Sequence, residues 1–432
     1  MQELAMGAKL PVRWWTLFES EALNELVERA IADSQTLAAA RASVEQAQAI
    51  AQARTGARGP QLDLTASSGR QKYGSQFLGG IEPPPPFTYF AFGTAVSYTF
   101  DYTGGVARSI EREQALAEYE RQRLRAAQLS ITGAIVQQAL EIAARQAEIA
   151  TVEQLLSEDR RNLEMIETAF SAGSASRVDL LSARSQLASD ETLLPKLRRE
   201  LDGARHALAS LSGTAPAIAP PADFLLSEFV LPQRLPVSLP SELVHRRPDV
   251  LAAEAQLHAA TAAVGIATAN LYPHITLTAS FSQQALKVSE LFDSSSHAWG
   301  LIGGLTAPVF DGGRLRAERR AALAGLSAQA ARYQQVVIES FAQVADALSA
   351  IEHGAEQFEA QAHALKTAQE SLDLTRESYH EGYVGVLQVL DSERSYQQAR
   401  LGYVRARAAR LLDTAHLFVA LGAIPPDAAL PH

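Results

Sequence analysis

The sequence predicts a mainly α-helical protein with a minority of β-strand, built from one helix–strand–strand–helix–helix unit used twice. Three observations carry that reading. Residues recur at an offset of about 210 positions, the longest segments carry seven-residue apolar repeats, and two stretches alternate with period two.

The repeat sets the boundaries. A shift of 213 residues places Ala40, Ala42, Ala47, Ala49, Thr55, Leu64, Thr65, Ala66 and Ser67 on identical residues at Ala253, Ala255, Ala260, Ala262, Thr268, Leu277, Thr278, Ala279 and Ser280. Gly104-Gly105 falls on Gly312-Gly313 at a shift of 208, and Gly173 and Gly213 fall on Gly382 and Gly422 at 209. The first copy is assigned to residues 1–213 and the second to 241–432. The proline-rich linker Thr214–Pro240 between them cannot be regular helix. An extra loop, Pro83-Pro84-Pro85-Pro86, lengthens the strand region of the first copy.

Each copy opens with a helix and passes into a hairpin, at about 61–102 and 274–310. Phe90, Phe92, Val96, Tyr98 and Phe100 point one way; Ala91, Gly93, Ala95, Ser97, Thr99 and Asp101 point the other. In the second copy Ile275, Leu277, Ala279 and Phe281 alternate with Thr276, Thr278, Ser280 and Ser282. One face is apolar and aromatic; the other is small and polar.

Long helices follow, over about 104–212 and 312–421. Ile135, Ile142, Ile149, Leu156 and Leu163 are spaced by seven, as are Val337, Val344, Ile351, Phe358, Leu365 and Leu372. A sustained heptad implies left-handed coiled-coil packing. Helices of ~69 and ~40 residues span about 100 and 60 Å, too long to fold into a compact ball. Pro195 predicts a kink in the shorter helix of the first copy, where the second copy has Val404.

Composition narrows the function classes. The 432 residues carry a net charge of −10, which argues against nucleic acid as a partner. Zero cysteine excludes disulfides, thiolate metal sites, a thiol nucleophile and lipid attachment to a cysteine in the chain as given. The start, MQELAMGAKLP, lacks the charged and apolar regions of a signal peptide. The longest apolar run, Leu301–Phe310, is interrupted by Gly303, Gly304 and Pro308, so no membrane-spanning helix is expected. The Gly-Gly pairs precede no Lys-Ser/Thr, and the ten histidines show no HExxH spacing. No enzyme and no cofactor are expected.

Four strands per chain pose a closure problem. About eight is the practical minimum for a barrel, and open edges are not tolerated in lipid. Three chains supply twelve strands, so a homotrimer forms a 12-stranded transmembrane β-barrel continuing into a long α-helical barrel. The competing reading is a soluble coiled-coil adaptor or scaffold, in which the apolar strand faces pack on a core.

Several stretches resemble one family. These are Pro11–Phe18 (PVRWWTLF), Leu239–Glu254 (LPSELVHRRPDVLAAE), Ala269–Leu277 (ANLYPHITL), Ala307–Arg316 (APVFDGGRLR) and Glu381–Ser392 (EGYVGVLQVLDS). In that order, they resemble the TolC-like outer-membrane efflux factors of the OprM/NodT branch. The resemblance implies a passive exit channel in the Gram-negative outer membrane, reaching into the periplasm. Its implied partners are outer-membrane lipid, a periplasmic adaptor and an inner-membrane pump, and its implied cargo is drugs or other small molecules.

The resemblance also implies roles for residues. Ala172, Gly173, Ser174, Glu381, Gly382 and Tyr383 lie at two turns that meet the adaptor; the plainer reading is that the glycines only end helices. Family members often carry two aspartates three residues apart as rings that narrow the pore. Here the matching positions are Gln388 and Asp391, so one carboxylate is missing, and Asp179 is the first-copy counterpart of Gln388. Tyr89, Phe90, Phe92, Tyr98, Phe100 and Trp299 are candidates for an interfacial aromatic girdle. Arg246, Arg247, Pro248 and Asp249 read mainly as helix-start chemistry.

Overall fold

The computed structural model describes residues 2–8, 10–74, 85–218, 222–237 and 246–422. Pro83, Pro84 and positions 239–245 of the LPSELVHRRPDV stretch lie outside the described residues. The chain is mainly helical with some sheet, and it divides into two interleaved compact units. One comprises residues 1–41, 122–251 and 335–432, the other 42–121 and 252–334.

The smaller unit holds a four-stranded antiparallel sheet. Its strands are β2 (Gln61–Gln71), β3 (Phe87–Phe100), β5 (His274–Ala285) and β6 (His297–Thr306), in the order β2-β3-β5-β6. β2 and β6 are its edges. Helices enter and leave through matched chemistry. Asp101 caps the first helix after β3, accepting from Val106 N at 3.0 Å and Ala107 N at 2.8 Å. Asp311 repeats this after β6, accepting from Gly313 N at 2.8 Å and Leu315 N at 2.9 Å. These carboxylates satisfy amides that a helix start leaves without partners. Gly104 and Gly312, at φ 77° and 65°, make the bends that bring each aspartate under its helix.

The larger unit is helical. It contains α1 (Glu21–Asp33) and most of two 67-residue helices, α3 (Gly105–Ser171) and α7 (Arg314–His380). α4 (Arg177–Glu191), α5 (Leu193–Leu211) and α8 (Val386–Ala420) complete it. α2 (Gln35–Gly56) and α6 (Pro248–Ala269) are the helices that lead to the hairpins. The heptad residues of α3 form its seam: Ile135 and Ile142 are fully buried, and Leu156 packs with Val152 and Leu197 against Leu187, Leu194 and Leu401. Each such side chain contributes about 1.5–3 kcal/mol of burial.

The break near Pro195 has a specific cause. Proline has no N–H to give Glu191, and its ring clashes with that residue's carbonyl. The helix therefore ends at Glu191, and Pro195 becomes a first-turn residue of α5. α8, with Val404 there, runs unbroken.

Three features depart from the expectation. The first helix of the first copy is two helices, because Ser34 Oγ accepts from Leu37 N at 3.3 Å and starts α2 afresh. The linker contains a strand, β4 (Arg234–Val237), paired in parallel with β1 (Glu3–Met6). Gln2 fixes that pair to the helices by donating to Pro232 O at 2.8 Å and Thr414 Oγ1 at 3.1 Å. Finally, α6 is long and apolar enough to cross a membrane by length and composition. Its apolarity is dispersed alanine rather than one run, and Val250 and Ala262 are fully buried.

Candidate functional site

The strand register shows how far the apolar face extends. Val96 stands opposite Leu62 and Ala279, and Ala279 opposite Leu301. Phe281 stands opposite Trp299, and Ile275 opposite Phe100 and Leu305. Residues directly opposite share a face. One apolar face therefore crosses all four strands, and it is uncovered: Leu62, Leu64, Trp299, Leu301 and Leu305 are each at least 65% exposed. Thr65, Ser67, Ala95, Ser97, Thr278, Ser280, Gly300 and Gly304 form the opposite face.

Five of the six girdle candidates, Phe90, Phe92, Tyr98, Phe100 and Trp299, fall on the apolar face. Tyr89 does not. It is one residue out of phase, and its ring lies over Gly69 on the small polar face, where an added Cβ would meet it at 2.6 Å.

The other candidate residues gather at two helical turns in the larger unit. α3 and α7 end alike. Gly173 and Gly382, at φ 77° and 80°, follow each helix. Ser174 N donates to Ala169 O at 2.9 Å, and Tyr383 N donates to Ser378 O at 2.9 Å. Both are Schellman endings, which need the left-handed conformation glycine tolerates. Ala172, Gly173, Ser174, Glu381, Gly382 and Tyr383 are all exposed.

The helices that leave the turns start differently. Ser176 Oγ accepts from Asp179 N at 3.2 Å, and Asp179 Oδ2 accepts from Ser176 N at 2.9 Å. This reciprocal capping box holds the Asp179 carboxyl below its usual range. Asp179 is thus engaged in starting α4. Gly385 starts α8 with no side-chain cap, which leaves Gln388, at the position matching Asp179, exposed. Asp391 is exposed one turn on, on the same helix face as Gln388. A cavity of about 830 Å³ lies beside the turns, lined by Met165, Ile166, Tyr379, Val386, Leu390 and Glu393 among others.

Comparison with known proteins is decisive about the family. The outer membrane efflux protein family matches residues 26–214 and 239–423. The chain belongs to that family. The pyoverdine export outer membrane protein OpmQ of Pseudomonas aeruginosa is 32% identical over 417 residues, covering 95% of this chain and 87% of the relative. The cation efflux system protein CusC of Escherichia coli is 29% identical over 412 residues, covering 95% and 87%. A solved structure of the outer-membrane channel OprN superposes with a TM-score of 0.91 at 26% identity, covering 96% of this chain and 93% of that one. The family locates this efflux protein in the Gram-negative outer membrane with a periplasmic extension. Its relatives are channels and not enzymes.

Two polar centres of this efflux protein escape sequence reasoning. Arg247 is buried where α6 begins. It forms a bidentate pair with Asp249 at 3.0 and 2.7 Å, and donates to Gln343 Oε1 at 2.7 Å and to Ala420 O, at the end of α8, at 2.9 Å. Gly422 packs directly on its side chain. The Arg-Pro-Asp motif therefore does more than start a helix: it closes the end of α8 onto the start of α6. The second centre joins α3, α7 and α8. Glu393, nearly buried, accepts from Arg376 at 2.8 Å and from Asn162, and Gln397 donates to Glu158. Its residues lie up to 239 positions apart, so no local pattern marks them.

Proposed function

We propose that this protein is the exit duct of a tripartite efflux pump. Three chains close a 12-stranded barrel in outer-membrane lipid and continue as an α-helical barrel into the periplasm. Each chain contributes two copies of one unit, residues 1–213 and 241–432, joined by the linker 214–240. The observation that carries this reading is the four-stranded sheet with two open edges and one bare apolar face. Lipid covers such a face, and only closure with other chains pairs the edge groups of β2 and β6. The small polar face then lines a wet lumen.

In this duct the protein does no chemistry and uses no cofactor. An inner-membrane pump supplies the energy, and a periplasmic adaptor seats on the exposed turns at Ala172–Ser174 and Glu381–Tyr383. The cargo is small: OpmQ is named for pyoverdine export and CusC for cation efflux, and drugs or other small molecules suit the same wide passage. Phe90, Phe92, Tyr98, Phe100 and Trp299 form the aromatic girdle. Three Asp391 side chains narrow the periplasmic mouth, where mutual repulsion favours cations. Gln388 leaves this protein with one carboxylate ring.

Two measurements test the reading. Detergent-solubilised protein should have the mass of three chains and form conducting pores in planar bilayers. Recovery from cells without detergent favours the soluble adaptor instead. Asp391→Ala should raise single-channel conductance or weaken block by cations; if neither changes, Asp391 is not at the constriction.

A further inference from the structure

We infer that Glu45 of one chain pairs with Arg320 of a neighbouring copy, where α2 of the first docks along the start of α7 of the second. The chain carries its own template for that joint. β3 and β5, one from each copy of the repeated unit, are paired, and the helices joined to them meet: α3 leaves β3 and α6 enters β5. His258 Nε2 of α6 lies 2.8 Å from Glu111 Oε1 of α3. Arg108 of α3 crosses Gly265 of α6, where an added Cβ would meet its side chain at 2.8 Å.

The repeat carries this joint onto the free edges of the sheet. α2 and α6 have 22 residues each and begin and end 213 positions apart. α3 and α7 have 67 each and begin and end 209 apart. β2 therefore matches β5 and β6 matches β3, so the counterpart of the β3–β5 joint is β6 beside β2. Those two strands are opposite edges of one sheet, three strand spacings or about 14 Å apart. Within one chain the joint cannot form. Between copies placed head to tail it can.

The side chains at the matching positions are complementary. His258 maps onto Glu45 and Glu111 onto Arg320, which sets opposite charges face to face. Gly265 maps onto Gln52 and Arg108 onto Ala317, so a long side chain again meets a small one, now from the other helix. Glu45 and Arg320 are both exposed, and neither makes a hydrogen bond or ion pair among the described residues. Arg314, one of the nearby cations of α7, is already engaged by Glu318 at 2.6 Å. Burial differs in the matching sense: Ala262 of α6 and Ala115 of α3 are buried, while their counterparts Ala49 and Ala324 are exposed. The inference rests on the ring of chains proposed above and adds the contact that fixes which helix faces meet.

The chain has no cysteine, so Glu45→Cys combined with Arg320→Cys makes a clean cross-linking pair. In membranes, a short bismaleimide should join full chains carrying both changes into covalent dimers and trimers. Glu111→Cys with His258→Cys should instead cross-link inside one chain and leave it a monomer on a denaturing gel. Charge reversal is the second measurement. Glu45→Arg and Arg320→Glu should each raise by about ten-fold the concentration at which trimers dissociate on dilution in detergent, because the repulsion recurs at every joint of the ring. Both reversals together restore opposite charges and should return that concentration to near the original. The inference is overturned if the unaltered chain is a trimer but the cysteines at 45 and 320 do not link chains, or if the double reversal is no better than the singles. An unaltered chain that is monomeric in detergent overturns the ring itself.

Discussion

The two helical hairpins of this efflux protein share one sequence pattern and occupy different surroundings. α3 and α7 have 67 residues each and begin and end 209 positions apart. Position for position, their burial diverges. Leu129 of α3 is 8% exposed, while its counterpart Ile338 of α7 is 61% exposed. Thr132 is fully buried, while Phe341 is 38% exposed. The cause is the neighbour. α8 lies against α3 there, with Val419 against Gly133 so closely that a Cβ on that glycine would approach to 2.6 Å. By the repeat, α5 is the matching cover for α7. If three chains close the ring proposed above, α5 of one chain would be placed to cover Ile338 and Phe341 on α7 of the next.

The largest expected effect comes from making the second hairpin like the first. Val404→Pro should split α8 as Pro195 splits α4 from α5. α8 has no break ready at Arg400, so the carbonyl clash and lost hydrogen bond should cost ~3 kcal/mol or more. Denaturant unfolding in detergent reads this directly. A cost below about 1 kcal/mol would mean that α8 tolerates the break and that Pro195 does not account for the first copy's geometry.

A smaller pair of substitutions tests the difference in cover. Leu129→Ala should lower the stability of the chain by ~2–3 kcal/mol, since it empties a packed site. Ile338→Ala should cost the isolated chain no more than about 0.5 kcal/mol and should instead weaken association, seen as a shift from trimer to smaller species by native mass. Equal effects on the chain, with assembly untouched, would break the comparison.

Much of this is legible in the sequence because it is local. Heptads mark α3 and α7, alternation marks β3 and β5, and Pro195 marks the α4–α5 break. What the sequence hides is set by partners far along the chain. β1 and β4 are four residues each and pair across more than 200 positions, so neither shows alternation. Arg247 reads as a helix-start residue until Ala420 and Gln343 come within reach. Aromatic composition draws Tyr89 into the girdle, although a one-residue offset sends it to the other face. At the turns the glycines are readable, but the capping role of Asp179 depends on Ser176 three residues earlier.

The smallest expected effects are at those turns, where the copies differ at the cap, Ser176 against Gly385, and three residues on, Asp179 against Gln388. Ser176→Ala removes the capping box and should destabilise α4 by ~1 kcal/mol. Gly385→Ser supplies the missing half of a box whose other half, Gln388, is already three residues on. Gly385 has φ −87°, and no atom lies within 4 Å of a Cβ built there, so serine fits without strain. The gain should be a few tenths of a kcal/mol. pH separates the two boxes. Asp179 is held below its usual range by the Ser176 amide and hydroxyl, so its box is intact above the ordinary aspartate value and is lost as the pH falls through the lowered one. The box that Gly385→Ser would complete with Gln388 has no titrating member. Exchange protection of the first turn of α4 should therefore fall in acid, while that of α8 in Gly385→Ser should not. Parallel loss at both turns would assign the acid sensitivity to the hairpins as a whole rather than to Asp179.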